Sequence, residues 1–349
     1  MKFHDMTTTH SEHNINIEKP YLLFLGDAQD QLAVKTAKGV AQWRPEWCVG
    51  QLRLENCKAD VGLPDLSLTE AKSKGARTMV LGVVNSGGFM PESWTKNIVQ
   101  AMKSGMNVAS GLHVKLESFE PIRNAADHFG CKLHNLRHTD IKFRTGTGEK
   151  RTGKRLLTIG TDCSIGKKYT ALAIEKEMIK RGIEADFRAT GQTGVLIAER
   201  GIAIDAVVSD FVAGAAEWLS PMNKKDHWDI VEGQGSLFHA SYAGVSLGLL
   251  HGTQPDVLVL CHEPTRSHMR NLPHIPMPKI KTCIKLNEAH AQLVNSSCKV
   301  AAVSIDTSRL TVKIAANYLE ELESQIGLPC VDPIRFGVSR IVDILEKVP

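Results

Sequence analysis

A single strand-to-helix turn constrains this chain more than any other feature. Leu156, Leu157 and Ile159 form a short apolar run that reads as a buried strand, and residues 171–181 read as a helix with apolar positions at 172, 174 and 178. Between them lies TIGTDCSIGKKYT, residues 158–170. Gly160 and Gly166 let the backbone bend and turn its N–H groups inward, the helix N-terminus adds partial positive charge, and Lys167 is long enough to reach a terminal phosphate. Glycine-rich turns also occur in α/β proteins that bind nothing, but this order of G, D, S, G and K between strand and helix favours phosphate. The expected cradle is Gly160, Thr161, Cys163, Ser164, Gly166, Lys167 and Lys168. The usual spacing, G-x-x-x-x-G-K-[ST], ends on a hydroxyl that holds magnesium. Here five residues separate the glycines and Lys168 stands where the hydroxyl would be. Thr170, farther into the helix, is poorly placed to replace it. A diphosphate held without a catalytic metal fits this loop better than Mg-ATP chemistry does.

A chain of 349 residues has room for about two domains. From residue 21, strand-like runs (YLLFLGD, WCVGQL, TMVLGVV, NVASGLH, KLHNLR) alternate with helix-like segments near 31–42, 68–75, 95–104 and 117–128. After the loop, strands are expected at EADFRA, DIVEG, PDVLVLCH and KVAAVSID. Such alternation predicts an α/β protein with two parallel sheets. The expected division is a flexible tail over 1–19, a Rossmann-like N-terminal domain over 20–140, a basic linker over 141–154 and a P-loop-containing C-terminal domain over 155–349, with the active crevice between the domains. The dinucleotide fingerprint G-x-G-x-x-G is absent after the first strand, where LGDAQDQ stands, so NAD binding is not expected. Gly88 in NSGGFMP and His113 in SGLH fall at strand ends, where α/β folds place ligands, and are candidate substrate contacts. The bland alternative is that these glycines merely make turns.

Composition narrows the class of partner. The chain is 42% hydrophobic and 23% charged with a net charge of only +4, which does not call for nucleic acid. The basic stretch KFRTGTGEKRTGKR has no aromatic platform and reads as a solvated linker. The eight cysteines show no C-x-x-C and no paired Cys/His spacing, so no zinc site is expected. No signal peptide and no apolar run near 18 residues is visible, so a cytoplasmic location and no membrane association are expected.

The ordered motifs point further. GTDCSIGKK resembles the variant loop of dethiobiotin synthetases, and VEGQGSL (231–237) resembles the acidic strand-end motif of that superfamily. Together with ATGQTG (189–194), DFVAGAAEWL (210–219), LGLLHGTQPDVLVLCHEPTR (247–266), GVVNSGGFMP and SGLH, the set resembles a two-domain P-loop family, long of unknown function, that includes bacterial D-glutamate N-acetyltransferases. The resemblance covers the chain from about residue 20. It implies acetyl transfer from acetyl-CoA, as co-substrate, to the amino group of D-glutamate in D-amino acid catabolism, with no metal. The alternative is an ATP-dependent ligase of the dethiobiotin synthetase type using Mg-ATP; a nucleotide-sensing protein is a third reading. A homodimer is the default assembly for such an enzyme.

Acyl transfer to an amine needs a neutral amine, a polarised thioester carbonyl and a site that orients both. Glu232, ending an apolar strand, is the first candidate base and Asp162 its rival; either carboxylate would otherwise be structural. His239 is a further catalytic candidate, with His251 and His262 in or beside the same motifs. Cys163 could form an acetyl-cysteine near the helix N-terminus, but direct transfer is the expected route. Arg188 and Arg266, near strand ends, are candidates for the substrate carboxylates, and Gln192 and Thr193 for polar contacts.

Overall fold

The six residues of β1 (Tyr21–Gly26) carry no charge and are all buried, as expected of a strand covered by helices on both faces. The computed structural model describes residues 15–83 and 90–349. After β1 come α1 (Lys35–Trp43), β2 (Cys48–Arg53), α2 (Leu68–Ser73), β3 (Thr78–Leu81), α3 (Glu92–Lys103), β4 (Asn107–Ser110), α4 (Glu120–Phe129) and β5 (Leu133–Asn135). The five strands pair in parallel in the order β2-β1-β3-β4-β5. The direction of strand addition reverses between β1 and β3, which makes their carboxyl ends the switch point where such sheets bind ligands. His113 follows β4 along that edge, whereas Gly88 lies outside the described residues. Local chemistry sets the helix ends: Ser67 and Glu70 form a reciprocal capping box on α2, and Gly130 closes α4 in the left-handed conformation that a side chain would resist.

The chain divides into two compact units, one running to Thr139 together with Val195–Gly201, the other comprising Asp140–Gly194 together with Ile202–Pro349. Residues 141–154, expected as a basic linker, fall within the second unit, where residues 144–150 are exposed and Arg151 is not. Arg151 donates to the carbonyls of Glu217 and Ser220 at 2.9 and 2.7 Å, and burial lowers its pKa to about 10. Phe143 meets Trp218 edge-on at 5.9 Å between ring centroids. The basic residues read as solvated are partly consumed in satisfying backbone carbonyls, which composition alone does not reveal.

The second half of the chain runs β6 (Lys154–Gly160), α5 (Lys167–Lys180), β7 (Ala185–Arg188), α6 (Gln192–Ala198, its residues from Val195 counted with the first unit), α7 (Val212–Leu219), β8 (Trp228–Val231), α8 (Ala243–Thr253) and β9 (Val257–His262). A short hairpin, β10 (His268–Met269) and β11 (Leu272–Pro276), precedes α9 (Ile280–Ala291), β12 (Lys299–Ile305), α10 (Val312–Ile326), β13 (Cys330–Val331) and α11 (Ser339–Leu345). The main sheet is parallel, in the order β13-β12-β9-β6-β8-β7. β6 therefore lies centrally between β9 and β8, and the segments following these three strands meet at one edge. Both parallel sheets match the alternation read from sequence. The hairpin and β13 were not expected, being too short to show a period. No helix among the described residues is long and apolar enough to cross a membrane.

Candidate active site

The loop after β6 is built around two left-handed residues, Ser164 (φ +51°) and Gly166 (φ +99°). Gly166 caps α5, so the helix starts at Lys167, earlier than the apolar pattern suggests. Lys167 is buried and turns back over the loop, donating Nζ to the carbonyls of Asp162 and Gly235, both at 2.8 Å; burial lowers its pKa. Thr170 donates its hydroxyl to the Gly166 carbonyl at 3.1 Å and lies 2.8 Å from the Ser304 hydroxyl. That hydroxyl is committed to holding α5 in place. The half-buried Lys168 holds its ammonium 4.6 Å from the centroid of the Tyr169 ring.

Glu232 follows β8, the strand beside the loop strand, and is buried. Its Oε2 accepts the Thr190 N–H at 3.0 Å, and the Thr190 hydroxyl donates to the Glu232 carbonyl at 2.6 Å. Gly194 is fixed by this approach, because a Cβ there would stand 2.4 Å from Glu232 Oε2. Burial pushes the Glu232 carboxyl up to about 7; the nearby Lys168 charge and the N–H groups of Thr190 and Gly191 resist the rise. A carboxyl in this range accepts a proton readily near neutrality. Gln192 and Thr193 are buried in the first turn of α6.

Asp162 has a different environment. It is fully buried, its Oδ1 accepts the Cys163 N–H at 2.7 Å, and its Oδ2 accepts Arg266 Nη1 at 2.6 Å and the Arg270 N–H at 2.8 Å. This is a carboxylate used as an anchor. Arg266 is likewise consumed: it also donates to the carbonyls of Cys163 (2.7 Å) and Ser164 (2.6 Å) and lies 3.3 Å from Glu263. It clamps the loop rather than presenting a fork to a ligand. Arg188 is placed elsewhere altogether, donating Nε to Asp229 at 2.8 Å with Asp186 at 3.4 Å. These two aspartates also flank His227 and raise its pKa to about 9. Arg188 and Arg266, expected at the substrate carboxylates, are both engaged by internal partners, which strand position could not show.

His239 is buried beside the loop, with its ring 4.6 Å from Tyr242. Ser241 N–H, which can only donate, lies 3.2 Å from Nδ1, so Nδ1 accepts and Nε2 carries the proton that it donates to the Arg270 carbonyl at 2.9 Å. Both ring nitrogens are engaged, so the structure does not offer His239 as a free base. Asp162, Cys163 and His239 bring ligand atoms within 4.8 Å of one another, but these carboxylate and imidazole contacts are to protein donors and acceptors. His262 lies 3.0 Å through Nδ1 from the Thr161 hydroxyl, and burial lowers its pKa to about 4. His251 lies in α8 with its pKa lowered by burial. His113 belongs to the other unit, where its carbonyl lies 3.0 Å from the His138 ring.

Family comparison agrees with this architecture. Residues 142–342 match the model of a "Domain of unknown function (DUF1611_C) P-loop domain", and residues 49–139 match the "DUF1611_N Rossmann-like domain". The chain belongs to the DUF1611 family. A DUF1611 family protein of Anabaena variabilis with a solved structure superposes with a TM-score of 0.86 at 27% identity, covering 95% of this chain and all of that one. Two curated relatives are each named D-glutamate N-acetyltransferase. The protein from Tritonibacter scottomollicae is 50% identical over 95% of this chain and 100% of its own length. The protein from a Pseudoalteromonas species is 50% identical over 94% and 99%.

Two contributors to this DUF1611 site escaped the sequence reading. Thr190, which holds Glu232 through backbone and hydroxyl, was seen only as part of ATGQTG. Arg270 carries no motif of its own; the one local signal is Asn271, a turn-forming residue in the run Met269-Arg270-Asn271-Leu272.

Proposed function

We propose that this protein transfers the acetyl group of acetyl-CoA to the amino group of D-glutamate. The reading is carried by 50% identity across nearly the whole chain to two relatives bearing that name. The site chemistry supports it. The loop offers Gly160, Gly166, Lys167 and the start of α5 to a phosphate-bearing donor. Lys168, where a magnesium-binding hydroxyl would stand, suits a reaction in which no phosphoryl group moves.

Glu232 is the general base of this proposal. D-Glutamate presents an ammonium, which cannot attack a carbonyl until a proton leaves. A carboxyl with a pKa near 7, shielded from water, takes that proton without needing high pH. The amine then forms the N–C bond as the C–S bond of the thioester breaks; the second proton lost by the nitrogen passes to the departing thiolate, and Glu232 releases the first to solvent. Asp162 and His239, bound as they are, serve the loop's shape rather than proton transfer. Thr190, and through it the ATGQTG segment, fixes the orientation of the base. Direct transfer needs no acyl group on Cys163.

The test is to mix the purified protein with acetyl-CoA and D-glutamate in EDTA, without ATP, and follow free thiol and N-acetyl-D-glutamate. Stoichiometric release of both is expected. Metal-dependent ATP consumption coupled to an acid or amino acid, with no acetyl transfer, would overturn the reading in favour of a ligase.

A further inference from the structure

The β10–β11 hairpin is only a few residues long, yet Arg270 at its tip is tied to the phosphate loop through both backbone and side chain. Met269 pairs with Leu272, so Arg270 and Asn271 form the turn, with Asn271 left-handed at φ +61°. Arg270 is then fixed three ways. Its N–H donates to Asp162 Oδ2 at 2.8 Å, its carbonyl accepts the His239 Nε2 proton at 2.9 Å, and its Nη1 donates to the Ser164 hydroxyl within the loop. Met269 beside it is fully buried and anchors the tip.

What this scaffold holds is a guanidinium with donors to spare. Arg266 spends Nε, Nη1 and Nη2 on the protein. Among the described residues, the Arg270 guanidinium meets a protein acceptor only at Ser164, through Nη1. Nε and Nη2, a fork matched to two oxygens of one anion, remain for a ligand. The residue is half-buried, so that edge is reachable yet partly shielded from water. Its tether to Ser164 puts it beside the loop expected to hold phosphate, and a pre-fixed side chain loses little freedom on binding.

We propose that Arg270 is a phosphate-binding residue for the acyl donor, and that Asp162 and His239 are positioning residues that hold it there. The proposal rests on the acetyl-CoA reading above. It gives the two buried groups that sequence singled out as catalytic a common purpose, since both grip the backbone of the same residue. The shared ligand chemistry is a phosphate oxygen pair, which CoA offers in its pyrophosphate and in its ribose 3′-phosphate.

Calorimetric titration of the intact protein, Arg270→Met and Arg270→Lys with CoA, dephospho-CoA and inorganic pyrophosphate tests this directly. Arg270→Met is expected to weaken CoA by about tenfold to a hundredfold, with Arg270→Lys recovering only part of the loss. If the 3′-phosphate is the partner, Arg270→Met loses the preference for CoA over dephospho-CoA. If the pyrophosphate is the partner, both ligands and free pyrophosphate weaken together. For the positioning role, His239→Ala should raise the donor KM by more than it lowers kcat, whereas a general base would lose kcat first. Unchanged affinity for CoA and pyrophosphate in a folded Arg270→Met overturns the proposal. So does a rise confined to the D-glutamate KM, which would make the residue a carboxylate receptor. Failure of the unmodified protein to bind CoA would instead count against the acetyltransferase reading, and the pyrophosphate titration would still decide the role of Arg270.

Discussion

Two buried carboxylates lie at the carboxyl edge of one sheet, and their surroundings give them opposite characters. Around Asp162 the protein supplies a guanidinium and two backbone N–H groups, so its charge is matched and its oxygens are occupied. Around Glu232 burial dominates and raises the carboxyl to about 7, despite Lys168 nearby. The first arrangement pins a loop; the second suits the proton acceptor of the proposed reaction. Residue type and proximity to the loop do not distinguish them, because role follows from how many donors meet the oxygens.

The comparison is sharpened most by removing the base. Glu232→Gln keeps size and much of the hydrogen bonding but cannot accept a proton, so kcat should fall by roughly a hundredfold or more. Acetyl-CoA affinity, measured by calorimetry, should stay close to that of the intact protein. Near-normal turnover would erase the distinction between the two carboxylates. Lys167→Ala comes next. It removes one charge-assisted contact, worth on the order of 1.5 to 3 kcal/mol, so acetyl-CoA affinity should fall about tenfold to a hundredfold. Asp162→Asn should act on the loop instead, raising the donor KM by up to about tenfold while kcat changes less. A loss of kcat as deep as that of Glu232→Gln, with donor KM unchanged, would reverse the assignment.

The smallest effect is on stability. The Glu232 pKa rises on folding from an ordinary 4.5 to about 7, so between those values the folded state holds a proton that the unfolded chain has released. Its contribution is fully present below the lower value and is lost as pH rises through the upper one. Glu232→Gln never ionises and escapes that loss. The melting temperature of the variant relative to the intact protein should therefore be higher at pH 8 than at pH 5, as read by differential scanning fluorimetry. A difference independent of pH would mean that the carboxyl is not raised.

Much of the architecture was legible in sequence because parallel strands announce themselves. YLLFLG and VLVLCH are apolar throughout, and the helices between such strands leave only a few wirings possible. The phosphate loop and the acidic strand end were legible because glycine, lysine and glutamate stand at fixed offsets from those strands. What stayed hidden was partnership. Arg188 and Arg270 are equally cationic on paper, yet one is held by Asp229 and Asp186 and the other keeps donors unspent. His239 is a catalytic candidate by position in sequence, and its contacts with Ser241 and Arg270, which engage both of its nitrogens, are not visible there. Arg151 looked as solvated as its neighbours because its charge was visible and the carbonyls that receive it were not. Such pairings depend on contacts distant in sequence, which local pattern does not encode.

The central claim, that Glu232 accepts the substrate's proton while Asp162 anchors the loop, is tested most directly by the pH dependence of kcat/KM for D-glutamate at saturating acetyl-CoA. The intact protein and Asp162→Asn should both show activity rising with pH through an inflection near 7, as Glu232 ionises. Glu232→Gln should lack that limb across pH 6 to 8. A profile in which the limb survives in Glu232→Gln and disappears in Asp162→Asn would contradict the account.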